Sequence, residues 1–229
     1  MATYIPSGLL AICWVFFAKT PALLCWLTVL LAIATVSATA MIYVSLKPIP
    51  RWNNIFVLPN YLLLGLGSAA IWLAAIATLR FEQHALLLVA CDWLAVIALA
   101  LAALGKLAYW RFIDSHHGAS TPESATGLGK IGKVKLFAAP HTEENYLLKE
   151  MGYRVARKHA VKLRLIALGL GFSLPAISAF AAIYAPGWPA AILLLVAAAG
   201  NAVGTLTERW LFFAEARHAV TLFYGGDFI

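Results

Sequence analysis

The sequence predicts an all-α, polytopic transmembrane helix bundle with about five spanning helices and a short N-terminal apolar segment. Three observations predict it. Hydrophobic residues make up 62% of the 229-residue chain and charged residues only 12%, against roughly 25% charged in an ordinary soluble domain. Several charge-free runs approach or exceed the roughly 20 residues that a helix needs to cross a bilayer. The surplus of basic over acidic residues is concentrated in one polar stretch. A soluble domain of this length has no single core large enough to hide so much apolar surface, which excludes a soluble enzyme.

The first apolar stretch, Ile5 to Ala18, spans roughly 21 Å as a helix, short of the roughly 30 Å hydrocarbon core. It reads as the stub of a longer helix or as an interfacial segment. It lacks a basic leader and a small-residue cleavage site, so it is not read as a signal peptide. Five longer runs follow: about Pro21 to Ser45, Ile55 to Leu79, His84 to Leu104, Leu165 to Tyr184 and Gly187 to Leu206. Their ends carry the aromatic, basic and Pro/Gly residues expected at a membrane interface, as in Lys47-Pro48-Ile49-Pro50-Arg51-Trp52, Tyr109-Trp110-Arg111 and Ala185-Pro186-Gly187.

From Lys106 to Arg164 there are 11 Lys/Arg and 5 Asp/Glu, a balance of +6 out of the net +7 of the chain. The positive-inside rule places this stretch in the cytoplasm, together with Lys47, Arg51 and the exit from the last span. The expected location is a bacterial cytoplasmic (inner) membrane. Three regions follow: residues 1–108 with the stub and three spans, 109–164 as a basic cytoplasmic loop, and 165–229 with two spans and an exit segment.

Within the loop, Asp114 to Pro140 reads as irregular connection, and a helix is expected from Thr142. Thr142 is a capping residue, and Glu143 and Glu144 suit the positive end of the helix dipole. Tyr146, Leu147, Met151 and Val155 recur at helical spacing, with Lys149, Arg154, Arg157 and Lys158 elsewhere around the helix. Such an amphipathic helix lies on a membrane or against a partner, its basic residues contacting partner or lipid head groups.

Several motifs lead nowhere. Gly127-Leu-Gly129-Lys-Ile-Gly132-Lys133 has the skeleton of a phosphate loop, but Val134 stands where Ser or Thr is needed and no strand–helix pattern surrounds it. Haem needs axial ligands inside the bundle, yet His84 and His218 lie near helix ends and His116, His117, His141 and His159 lie in the polar loop. Cys13, Cys25 and Cys91 sit in apolar runs without metal-ligand spacing, so no metal site and no disulfide framework is expected.

Two features carry chemistry. Asp92 is an ionisable residue well inside the third span. A charge in lipid costs at least about 2.5–3.5 kcal/mol, which makes it a candidate for a proton path. The other feature is the end of the last span: Glu208, Arg209 and Trp210, then Glu215, Arg217, His218 and Tyr224. If the helix continues, Glu208, Phe212, Glu215 and Ala219 share one face. Carboxylates and a histidine beside aromatics at the membrane surface could relay protons to a quinone ring. Spacing alone equally describes an amphipathic exit helix with Glu–Arg pairs.

Glu208-Arg209-Trp210-Leu-Phe-Phe-Ala-Glu-Ala-Arg217-His218-Ala-Val-Thr-Leu-Phe-Tyr224 resembles the C-terminal segment of the DmsC-type membrane anchors, named for dimethyl sulfoxide reductase. The stretches from His141 to Lys158 and from Ala40 to Trp52 resemble the same family, and the similarity runs over about residues 21–225. The resemblance, within the wider NrfD and polysulfide reductase group, implies the membrane subunit of a molybdopterin oxidoreductase. Such a subunit docks an iron–sulfur electron-transfer subunit and a molybdopterin catalytic subunit and exchanges electrons with membrane quinone. It implies no cofactor bound by this chain, with quinone as exchangeable substrate and molybdopterin and iron–sulfur clusters in the partners. Among these anchors, those of quinone-linked sulfite dehydrogenases resemble the chain most, because their soluble subunits work on the cytoplasmic side. Glu208, Arg209, His218 and Tyr224 are then the expected quinone-binding or docking residues. Family members have about eight helices, so the equivalents of the first three are expected to be missing or reduced here. A structural scaffold without quinone binding and a small transporter are the competing readings.

Overall fold

Alanine and glycine decide how the helices of this chain meet. In lipid there is no hydrophobic drive between helices, so close packing of small residues and interhelical hydrogen bonds hold a bundle together. The computed structural model describes residues 2–80, 85–115, 120–138, 153–185 and 187–225. Lys149 and the predicted helix start at Thr142 lie outside the described residues.

The helices are α1 (Tyr4–Phe17), α2 (Ala22–Val44), α3 (Val57–Arg80), α4 (Ala85–Ser115), α5 (Pro122–Thr126), α6 (Arg154–Lys158), α7 (Ala160–Ala182) and α8 (Trp188–Ala214). Short 3-10 turns cover Leu128–Lys130 and Ala219–Tyr224. Among the described residues, α2, α3, α4, α7 and α8 are long and apolar enough to cross a membrane. The protein is an all-helical, multi-pass membrane protein, and the 14-residue α1 is the short apolar segment the sequence predicts.

The core is a bundle of α3, α4, α7 and α8, with α2 against α3 and α1 against α2. Its buried centre is built from Ala70, Ala74, Ala95, Ala98, Ala179 and Ala198 around Ile71, Leu99, Phe172 and Leu194. The outer faces of the spans expose Trp, Leu and Ile side chains such as Trp26, Leu86 and Leu206, as a lipid-facing surface does. α1 folds back antiparallel on α2. Its end carries Ala18 in the left-handed region, and Thr3 at its start bonds the Thr35 hydroxyl at 2.8 Å near the middle of α2.

α7 and α8 make the closest approach. α7 contains a π turn over Gly169–Ser173, and a Cβ added at Gly204 of α8 would lie 2.1 Å from the Gly171 nitrogen. Asn201 Nδ2 donates to the Gly171 carbonyl at 2.6 Å. Gly200 and Gly204 supply the small-xxx-small spacing that such an approach requires, and the π turn frees a carbonyl for a neighbouring helix.

Three spans run further into polar sequence than hydropathy predicts. α4 continues to Ser115 instead of ending near Leu104, α7 begins at Ala160 instead of Leu165, and α8 continues to Ala214 instead of Leu206. The reason is charge pairing. Lys106, Asp114, Arg164, Glu208 and Arg209 all lie on these extensions: Lys106 pairs with Glu208 and Asp114 with Arg164 across helices, and Arg209 pairs with Glu208 within α8, which a window of residue hydropathies cannot register.

Candidate functional site

The helix directions bring the ends of α2, α4 and α8 and the starts of α3 and α7 to one end of the bundle. There Tyr43, Trp52, Tyr61, Phe212 and Phe213 form a ring cluster. Trp52 stacks on Phe212 at 5.7 Å between centroids, and its indole Nε1 donates to the Phe212 carbonyl at 2.9 Å. The Lys47–Trp52 junction is therefore stitched to the end of α8. Tyr109 adds a second stitch, donating to the Arg51 carbonyl at 2.9 Å.

Beneath the rings lies a buried ionic group. Glu208 of α8 is fully buried and pairs with Lys106 of α4, itself 1% exposed. Arg209 donates to both oxygens of Glu208, at 2.6 Å from Nε and 2.9 Å from Nη2. The guanidinium lies over the rings of Tyr61 (4.4 Å) and Phe212 (4.8 Å), and Lys106 Nζ lies 4.1 Å from the Tyr109 ring centroid. Each charge thus has a counter-charge or a ring face, the condition under which ions persist away from water. Arg209 Nη1 is the exception: it is buried and has no hydrogen-bond partner among the described residues.

A second ionic group sits one turn further out. Arg164 of α7 bonds both oxygens of Asp114 at 2.5 and 3.0 Å and Glu215 at 2.8 Å, while Arg51 reaches Glu215 at 3.9 Å. Arg157 of α6 donates from Nε and Nη2 to the carbonyls of Ala214 and Ala216. Ala214 is the last residue of α8 and Ala216 follows its cap Glu215, and carbonyls at a helix C-terminus are satisfied well by a cation.

The sequence-predicted residues separate here. Glu208 and Arg209 are together in the buried group. Glu215 caps α8 and joins the outer group, so the helix does not carry it on to Ala219. His218 is extended, and its Nδ1 accepts from the Val220 amide at 3.0 Å, capping the final 3-10 turn. Among the described residues no hydrogen bond or ion pair joins His218 to Glu208 or Arg209. Tyr224 ends that same turn and is half-buried. Arg157 is half-buried against the end of α8, Lys158 is exposed, and the backbone of Arg154 lies in α6. Lys149 lies outside the described residues.

Lys106 is the functional-site residue that the sequence reading missed. A lysine one turn before Tyr109-Trp110 near the end of an apolar run looks like an interfacial anchor. Its signal was complementarity: Glu208 needs a buried counter-charge, and Lys106 is the cation at the matching end of a neighbouring span.

Asp92 is at the other end. It is buried, its Oδ1 has no hydrogen-bond partner among the described residues, and it lines a cavity of about 250 Å³ with Thr78, Val89, Ala182, Gly187 and Ala190. The glycine-rich phosphate-loop lookalike carries its own carboxylate: the Val134 amide donates to Glu123 Oε1 at 3.1 Å. Among the described residues no group of three or more His, Cys, Asp or Glu side chains is placed to hold a metal ion.

The chain as a whole has a relative among known proteins. The chain is similar to one of the subunits of the sulfite dehydrogenase of Allochromatium vinosum. The two are 28% identical over 193 residues, which cover 84% of this chain and 57% of that relative. The chain thus spans a little over half the length of the relative it matches. No family model matches the chain. No solved structure matches it. The relative is by name one component of a larger enzyme, and the aligned length takes in most of the five-span bundle.

Proposed function

We propose that the chain is the membrane anchor subunit of a quinone-linked molybdopterin/iron–sulfur oxidoreductase, with sulfite as the electron donor. The observation that carries the reading is Arg209: a guanidinium locked by the buried Glu208, lying over Tyr61 and Phe212, with Nη1 left as a buried unused donor. A quinone carbonyl is an acceptor of the right kind for that donor, and the surrounding rings offer its head group a stacking surface. Lys106, Glu208 and Arg209 hold the donor in place, and the positive charge favours the developing negative charge on a quinone oxygen as electrons arrive.

In this reading the polar end faces the cytoplasm, where the basic loop with Lys149, Arg154, Arg157 and Lys158 meets the iron–sulfur subunit. With molybdopterin and iron–sulfur clusters in the partner subunits, sulfite and water would give sulfate, two protons and two electrons, and quinone held by this chain would take up two electrons and two protons. Similarity to a component of a sulfite dehydrogenase supports the assembly and the substrate. In this reading His218 and Tyr224 belong to the docking edge, and Asp92 with its cavity offers a proton route at the opposite end.

The test is purification of the tagged chain from its own membranes in mild detergent, with mass spectrometry of what accompanies it. Near-equal amounts of a molybdopterin subunit and a ferredoxin-like subunit are expected. In that complex Arg209→Lys should lower sulfite-dependent quinone reduction at least tenfold while leaving sulfite oxidation by a soluble acceptor intact. Recovery of the chain alone from fully solubilised membranes, or equal loss with both acceptors, would count against the anchor and the pocket respectively.

A further inference from the structure

A stretch of unpaired main chain lies beside the final 3-10 turn. From Gly132 to Leu136 the chain runs without helix, turn or bend, so it is extended. One point of it is fixed: the Val134 amide donates to Glu123 Oε1 at 3.1 Å. Main-chain N–H groups along an extended run face alternate sides, so those of Lys133 and Lys135 turn away from Glu123. Among the described residues no hydrogen bond uses the main-chain groups of Lys133, Lys135 or Leu136. A free edge of this kind is a template for pairing with another strand.

The side chains around the edge select what pairs with it. A groove of about 450 Å³ between the run and the final 3-10 turn is lined by Lys133, Lys135, Leu136, Phe137, Leu222 and Phe223, among others. No Asp or Glu is among its described lining residues. Phe137 is fully exposed, and Leu136 and Phe223 are nearly half exposed. Neither lysine takes part in an ion pair among the described residues, although Lys133 helps to hold the Glu123 carboxyl charged. The apolar groove calls for apolar side chains, and the lysines call for carboxylates. Lipid tails fail here, because hydrocarbon leaves free N–H and C=O groups unsatisfied. A peptide main chain satisfies them.

We infer that this edge takes up, by strand addition, an extended segment of a partner protein in which carboxylates alternate with apolar side chains. In that mode main-chain hydrogen bonds supply affinity, and pockets for alternate side chains supply specificity. The carboxylates meet Lys133 and Lys135, and the apolar side chains meet Leu222 and Phe223. That the partner is the iron–sulfur subunit rests on the function proposed above; the docking mode does not.

Photocrosslinking in native membranes provides the test, with p-benzoylphenylalanine in place of Phe137 in the full chain and mass spectrometry of the crosslinked peptide. The expected product joins one partner polypeptide through a segment that alternates carboxylate and apolar residues. Lys133→Glu/Lys135→Glu should lower the crosslink yield by about tenfold or more, at an unchanged level of the chain in the membrane. Lys135→Pro, which also removes the outward N–H, should lower it more than Lys135→Ala, which removes only the side chain beyond Cβ. An iron–sulfur subunit as the partner supports both the docking mode and the anchor function. A different protein with such a segment supports the docking mode and counts against that function. Crosslinks only to lipid, to a second copy or within the chain overturn the inference, as does the lack of any crosslink. Equal yields from Lys135→Pro and Lys135→Ala overturn it too.

Discussion

The two ends of the bundle treat ionisable groups in opposite ways. At the polar end, Glu208 is surrounded by Lys106 and Arg209, and Glu215 by Arg164 and Arg51. At the other end, among the described residues, Asp92 takes part in no ion pair and its Oδ1 has no hydrogen-bond partner. The polar end is stitched by long-range hydrogen bonds from Trp52, Tyr109 and Arg157. The far end has short connections and a cavity. Pairing makes the first set part of the fold. Its absence makes Asp92 a cost that the fold bears, the usual mark of a group kept for function.

The comparison breaks first at Glu208. Glu208→Met strands Lys106, which is 1% exposed, with only ring faces for company. Removing one partner of a buried pair costs about 3–5 kcal/mol, and the folded yield in detergent should fall steeply. Lys106→Met should cost less, because Arg209 still holds both oxygens of Glu208. The Lys106→Met/Glu208→Met double variant should recover part of the loss, and a double-mutant cycle of unfolding midpoints measures it. Equal stability of wild type and Glu208→Met would show that the pair is not structural.

Between the two ends, Gly204→Ala tests whether the spans are held by backbone approach. The new methyl meets the Gly171 backbone, so the loss should reach the top of the roughly 1–3 kcal/mol range for overpacking. Gly65→Ala is the control: a Cβ there meets nothing within 4 Å, and replacing glycine in a helix should stabilise by roughly 0.5–1 kcal/mol. Thermal unfolding of both variants in one detergent gives the contrast, and matching midpoints would refute it.

Asp92→Leu carries a smaller effect on stability, of the other sign. Deleting an unpaired intramembrane carboxyl should leave stability unchanged or raise it by about 1 kcal/mol, whereas proton-coupled quinone turnover in the complex should fall. A destabilised Asp92→Leu would mean that the carboxyl is a structural member of the bundle, as Glu208 is.

Much of this difference was legible in the sequence, and some was not. Length and hydropathy locate all five spans, and the charge balance from Lys106 to Arg164 marks the polar end. Glu208 and Arg209 stand out by residue type. What could not be read was partnership. Lys106 and Glu208 are 102 positions apart, and Arg164 finds Asp114 and Glu215 about 50 positions away on either side. Local periodicity reports which face a side chain occupies, not which helix lies opposite. The same gap misplaced the ends of α4, α7 and α8, since a window scores a charge as a cost even when its counter-charge waits on the neighbouring span. His218 was expected at the quinone-binding or docking edge by type, and its role as the cap of the final 3-10 turn is visible only in the backbone conformation.

The smallest effect separates charge from burial. Glu123 belongs to the polar end but is only half-buried, in the loop that carries the α5 capping box. Its own backbone amide, the Thr121 hydroxyl and the Val134 amide hold its carboxyl below the usual carboxylate range. A lowered folded value means that the contribution is present above the unfolded pKa of about 4.3 and is lost as pH falls through the folded one. The Val134 amide resonance should therefore titrate with a midpoint below about 4.3, and Glu123→Gln, which keeps an acceptor oxygen, should remove the titration without unfolding the bundle. An unshifted midpoint would show that Glu123 is merely solvated. If acid instead melts the spans at that same midpoint, half-buried charge would matter as much as fully buried charge, and the contrast between Glu208 and Glu123 would fail.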